Sequence, residues 1–127
     1  MDKTQMQSII EDYIKAYNQF DVEGLTRHLH PDVSFKNTSD GEVTHAIIGI
    51  QGFRLQAREA AQYFTQREQK ITGIHFNGNS AEVSLDYTGT LAVDLPNGLR
   101  EGDLLELKGK SIFTFEDGQI TRIEDFS

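Results

Sequence analysis

The chain has 127 residues, the length of one domain able to bury a core without staples, and its 37% hydrophobic and 25% charged composition excludes disorder as its main state. It has no cysteine, which removes disulfides, thiolate metal sites and cysteine nucleophiles together and makes a reducing, cytoplasmic location the expectation. Twelve Lys and Arg against twenty Asp and Glu give a net charge of −8 with the basic residues scattered, so no nucleic-acid partner is expected; no apolar run approaches the roughly 18 residues of a membrane span, so none is expected in a membrane either.

From the N-terminus, Met6, Ile9, Ile10, Tyr13, Ile14 and Tyr17 recur at the spacing of one helical face, with Glu11, Asp12 and Lys15 opposite and Thr4 as the expected N-cap. Asp21 then opens a short helix from Val22 to Leu29, stopped by His30-Pro31, because proline disfavours helical geometry in the residue before it. From Val33 the period becomes two: Val33, Phe35 and Asn37 share the apolar face of a strand. Ser39-Asp40-Gly41 reads as a hairpin turn and Glu42 to Ile48 as the return strand, with His45 on the face of Val43 and Ile47. A third helix, about Ile50 to Phe64, follows, with Phe53, Ala57, Ala60, Ala61 and Phe64 on one side.

The remainder reads as antiparallel strands, about Glu68 to Phe76, Ala81 to Leu95, Leu104 to Phe115 and Gln119 to Phe126, with turns at Asn77-Gly78, Pro96-Asn97-Gly98 and Asp117-Gly118. Val83, Leu85, Tyr87, Leu91 and Val93 form one core face; Leu105, Leu107, Gly109, Ser111, Phe113 and Phe115 form another. Ser111, like Asn37, is a polar residue on an apolar face. Helices gathered early and a sheet afterwards predict a single α+β domain over residues 1–127: a strongly bent, mostly antiparallel sheet wrapped on three helices around a cavity.

In AYNQFDVEGLTRHLHPDVSFKN, in IIGIQGF and in KSIFTFEDGQITRIEDF the chain resembles the nuclear transport factor 2-like superfamily and, within it, the SnoaL-like group related to polyketide cyclases and ketosteroid isomerases. The resemblance implies a cone-shaped barrel with a pocket between sheet and helices, often dimerising through the sheet. It spans isomerases, cyclases, hydrolases and pure binding modules, so activity has to be argued from the site. Laid on a ketosteroid isomerase-like member, Tyr13 falls where a catalytic tyrosine belongs, whereas the base position holds Asn37 and the second carboxylate position holds Ser111. An amide cannot abstract a proton.

The catalytic candidates are therefore His45 as a base, because an imidazole titrates near neutrality, with Tyr13, Asn37 and Ser111 as hydrogen-bonding groups. Tyr17, Phe35, Phe53, Phe64, Tyr87 and Phe113 are the candidate ligand-binding residues. His75 faces opposite Ile74 and Phe76; Asp86 belongs to the wet face, and Asp125 is a further strand carboxylate. His28 and His30 point in different directions and lack a third ligand, so no metal site is expected, and Gly49-Ile50-Gln51-Gly52 fits no nucleotide fingerprint, so no cofactor is expected. Arg67 to Lys70 reads as a strand edge. Three functions remain open: a binding protein for an apolar or polycyclic small molecule, a cofactor-free acid–base enzyme acting on one, and a dimeric interaction module with a vestigial cavity. A homodimer is expected across the outer sheet face, where Leu104 and Ile112 are apolar at outward parity.

Overall fold

The computed structural model describes residues 1–127, with three helices and six strands in the order α1 (Lys3–Asn18), α2 (Val22–Thr26), β1 (Leu29–Ser39), β2 (Glu42–Ile48), α3 (Ile50–Ala61), β3 (Phe64–Asn77), β4 (Ser80–Leu91), β5 (Leu104–Glu116) and β6 (Gln119–Phe126). The class is α+β. One mixed sheet runs β2-β1-β6-β5-β4-β3, in which β1 and β6 are parallel and the other neighbours antiparallel. Its edges, β2 and β3, do not pair with each other, so the sheet curls over the helices without closing.

The α1 face buries Met6, Ile9, Ile10, Tyr13 and Ile14 as its spacing predicts. Its N-cap is Asp2 rather than Thr4: Asp2 Oδ1 accepts from the Gln5 amide at 2.8 Å and Gln5 Oε1 accepts from the Asp2 amide at 3.2 Å. This reciprocal capping box satisfies two otherwise orphaned donors, and Thr4 lies inside the first turn. At the other end the Asp21 amide donates to Ala16 O and the Phe20 amide to Tyr17 O, a Schellman closure with Phe20 in the left-handed position at φ 57°.

Several boundaries differ from the sequence reading, and in each case sheet pairing decides. The second helix ends at Thr26, because Leu29 is drawn into register with Ile120 of β6 and buried. Pro31 consequently sits within β1, in the stretch between Leu29 and Ser34 where the ladder to β6 is interrupted, so its missing N–H breaks no pairing. Helix α3 stops at Ala61, and Phe64 opens β3 opposite Leu91. The Phe64 ring packs on Gly89, where a Cβ would stand 2.7 Å from Phe64 Cδ1. Strand β4 ends at Leu91, so Val93 lies in the connection to β5, exposed rather than in the core.

The inner face of the sheet supplies Val33 and Phe35, Ala81, Val83 and Leu85, Phe113 and Phe115, and Ile120 and Ile123 to a core shared with α1 and α3. Leu107, assigned to that core by parity, is 44% exposed, because β5 runs beyond the helices there. Ile74 and Phe76 pack against the core and His75 is exposed. The outer face is wet, with Lys108 paired to Asp86 at 3.1 Å and Lys110 to Glu82 at 3.2 Å.

Candidate functional site

A polar row crosses the inner face. His45 of β2 is in register with Asn37 of β1, Asn37 with Asp125 of β6, Asp125 with Ser111 of β5, and Ser111 with Val83 of β4. Residues paired across strands share a face, so the row turns toward the helices. At its centre Ser111 Oγ donates to Asp125 Oδ1 at 2.6 Å. Burial pushes the Asp125 carboxyl up from the usual carboxylate range to about 6, the Ser111 hydrogen bond opposing that rise by favouring the ionised form.

The alternation of β5 with β6 does not by itself deliver this contact. Continuing the Glu116–Gln119 and Phe115–Ile120 pairs would set Glu124 opposite Ser111, but a bulge after Phe115 leaves Thr121 without a ladder partner and advances β6 by one residue. Thr121 Oγ1 donates instead to Thr114 O at 3.3 Å. Asp125, to which the sequence reading gives no role, thereby becomes the half-buried carboxyl of the site. The available signal was Ile120 and Ile123: two core residues three apart in one strand require such an irregularity.

Helix α1 lays Tyr13 and Tyr17, one turn apart, over this row. Tyr13 meets Phe113 edge-on with centroids 5.3 Å apart, and the Tyr17 hydroxyl donates to the Tyr87 hydroxyl at 3.2 Å. Burial raises all three phenols above their usual range, with the Asp125 charge adding to it for Tyr13 and the neighbouring Tyr17 for Tyr87. They are neutral hydrogen-bond donors at neutral pH.

Two adjoining cavities meet at this row. One, of about 260 Å³, is lined by Phe64, Leu85, Tyr87 and Ser111 and opens past Leu105 and Leu107. The other, of about 180 Å³, is lined by Tyr13, Phe35, His45, Phe53 and Arg67. Tyr17, Asn37 and Asp125 line both. Phe35 and Phe53 form an edge-on pair at 5.6 Å in the second cavity, and Phe64 and Tyr87 another at 5.9 Å in the first. Phe113 lines neither; it is fully buried beneath Tyr13.

Three polar residues behave differently from their sequence reading. His45 is exposed, because β2 is an edge strand in which Val43 is also open to solvent; its Nδ1 lies 3.1 Å from Thr44 Oγ1 at the rim of the second cavity. Asn37 donates its amide to Thr44 Oγ1 at 2.7 Å and to Ser39 Oγ at 3.3 Å, which commits that nitrogen to the hairpin and leaves the carbonyl oxygen as its free end. Arg67 does lie on the edge strand β3, but its side chain is buried inside the curl with Nε donating to Tyr17 O at 2.9 Å. Its burial follows from the register of β3 on β4, where a bulge between Phe64 and Gln66 shifts the pairing by one and sets Arg67 opposite Gly89. His28 and His30 stand outside both cavities, the first 3.0 Å from Asp12 Oδ2, the second accepting from the Asp32 amide.

No curated protein matches the sequence. Among solved structures the fold resembles that of a candidate polyketide cyclase from Xanthomonas campestris pv. campestris (TM-score 0.84, 21% identity, covering 98% of this chain and 91% of the other). It also resembles a protein of ketosteroid isomerase-like fold from Catenulispora acidiphila in complex with trimethylamine (0.78, 13%, 94% and 84%), and TerC co-crystallised with polyporic acid (0.76, 18%, 95% and 89%). The SnoaL-like domain family matches residues 10–123. With that match across nearly the whole domain, on the sheet and helices described above, the chain belongs to the SnoaL-like domain family.

Proposed function

We propose that this chain binds a largely apolar small molecule bearing a carbonyl group between α1, α3 and the sheet, and moves a proton on it through Asp125. The observation that carries this reading is the Asp125 carboxyl, desolvated, oriented by Ser111 and lining both cavities, with a pKa near 6 that lets it hold or accept a proton close to neutrality. Ionised Asp125 takes a proton from the carbon beside the carbonyl, the neutral phenol of Tyr13 or Tyr17 donates to the enolate oxygen, and Asp125 returns the proton to the same or a neighbouring carbon. Proton exchange, isomerisation and aldol-type ring closure all begin with that first step. The aromatic pairs supply an apolar lining with few placed polar groups, the usual character of a small-molecule site.

Two solved proteins of this fold hold small molecules, which favours a small-molecule binding role here. The chain works as a homodimer through the outer sheet face in this reading, where Leu104 is 59% exposed and Ile112 lies between Glu82 and Glu124 in register. A cysteine-free chain suits the reducing cytoplasm.

The test is deuterium exchange of the α-protons of 2-tetralone in D2O, followed by proton NMR. The native chain is expected to accelerate it, and Asp125→Asn to reduce that acceleration by about 100-fold or more, the usual scale of general-base assistance. No acceleration by the native chain, or an Asp125→Asn variant as fast as native, would overturn the reading.

A further inference from the structure

Arg67 is 6% exposed. Its guanidinium carbon lies 3.7 Å from the Tyr17 ring centroid and 4.5 Å from that of Phe20, and Nε is spent on Tyr17 O. The Phe20 ring is brought there by the left-handed residue that closes α1, a conformation glycine adopts more readily, so the stack is held from the helix end as well as from the strand. The ion pairs of the protein use Arg54, Arg58, Arg122, Lys108, Lys110 and His28, and none involves Arg67. Its Nη2 is buried without a hydrogen-bond partner in the protein.

An arginine does not shed its proton, and a buried cation with an unpaired donor is costly unless an anion meets it. The stacked rings offset part of that cost, but their faces supply no acceptor for Nη2. Arg67 lines the cavity that Tyr13, Asn37 and Asp125 also line. We propose that the ligand of this cavity carries a carboxylate, seated on the guanidinium of Arg67, with its apolar body against the Phe35–Phe53 pair.

This rests on the reading that the cavity takes a small molecule, and deepens it by naming the ligand's charged group. Asp125 is the one acid that lines this cavity.

Calorimetric titration of 2-naphthoate and of its neutral analogue 2-acetonaphthone into the native chain, Arg67→Gln and Arg67→Lys tests this. The native chain is expected to prefer naphthoate by about 10- to 100-fold, the range for a hydrogen bond to a charged group. Arg67→Gln should lose that preference while still binding 2-acetonaphthone, and Arg67→Lys should retain part of it. Equal native affinity for the two probes, or a preference that survives Arg67→Gln, would overturn the proposal and leave the pocket standing. Binding of neither probe would overturn the pocket reading and this one together. Should Arg67→Gln fail to fold, the arginine side-chain nitrogen resonances of the native chain decide: a shift of the Arg67 signals with naphthoate and none with 2-acetonaphthone supports the proposal, and no shift with naphthoate overturns it.

Discussion

A carboxyl whose folded pKa stands near 6 is a stability statement as well as a chemical one. Because its pKa is raised, the folded chain binds the Asp125 proton more tightly than the unfolded chain, so this residue costs nothing below about pH 4 and destabilises progressively as pH rises through 6. The full penalty above that range is up to about 3 kcal/mol, from 1.36 kcal/mol per unit. Asp125→Asn, which keeps the acceptor for Ser111, is expected to melt above the native chain at pH 8, with the difference vanishing near pH 4; thermal melts at both pH values check it. Asn37→Asp is expected to do the reverse. It sets a second carboxyl beside Asp125 in register, the pair shares one proton, and the higher apparent midpoint in a carbon-13 titration of the carboxyls moves above 6. An unmoved midpoint would mean that the two side chains do not face each other.

Among the elements, β5 and α1 carry the largest local stakes. Phe113 is fully buried in β5 and closes the sheet against Tyr13, so Phe113→Ala is expected to cost about 3 to 5 kcal/mol in denaturant melts, the usual loss for a buried phenylalanine. A cost below about 1 kcal/mol would contradict that packing. Asp2→Ala removes the acceptor for the Gln5 amide and is expected to cost about 1 kcal/mol. The far end of α1 is fastened differently: the Asn18 side chain donates to Gln69 O at 3.1 Å and accepts from the Gln69 amide at 2.7 Å, so the edge of β3 is covered there rather than left as a free ladder. That clamp also fixes Arg67, two residues earlier on the same strand.

At the scale of the whole molecule, the outer sheet face combines Leu104 and Ile112 with a lattice of ion pairs of both signs, a surface that suits association with a second copy through a mixed rather than a wholly apolar patch. Static light scattering at micromolar concentration is expected to give twice the 14.3 kDa of one chain, and Ile112→Asp, set between Glu82 and Glu124, to shift it toward the monomer. A native mass of 14.3 kDa would remove the dimer.

What the sequence determined by itself is local: the buried stripe of α1, the Asp21 cap, the tight Asp40-Gly41 and Asp117-Gly118 turns with both residues at positive φ, and the placing of Asn37 and Ser111 on faces that turn inward. Each follows from a period or a turn chemistry that a few neighbouring residues specify. The α+β class follows too, because the helices lie in the first half of the chain and four consecutive strands close it. The tertiary structure alone decided which polar groups meet. Asn37 and Asp125 are joined by a parallel pairing of strands 88 residues apart, and Ser111 meets Asp125 only because the bulge at Thr121 shifts the register by one, which in a period of two exchanges the faces. Arg67 is buried because long-range pairing with Gly89, reached past a bulge between Phe64 and Gln66, turns it to the inner face, and a buried charge leaves no periodic trace in a sequence.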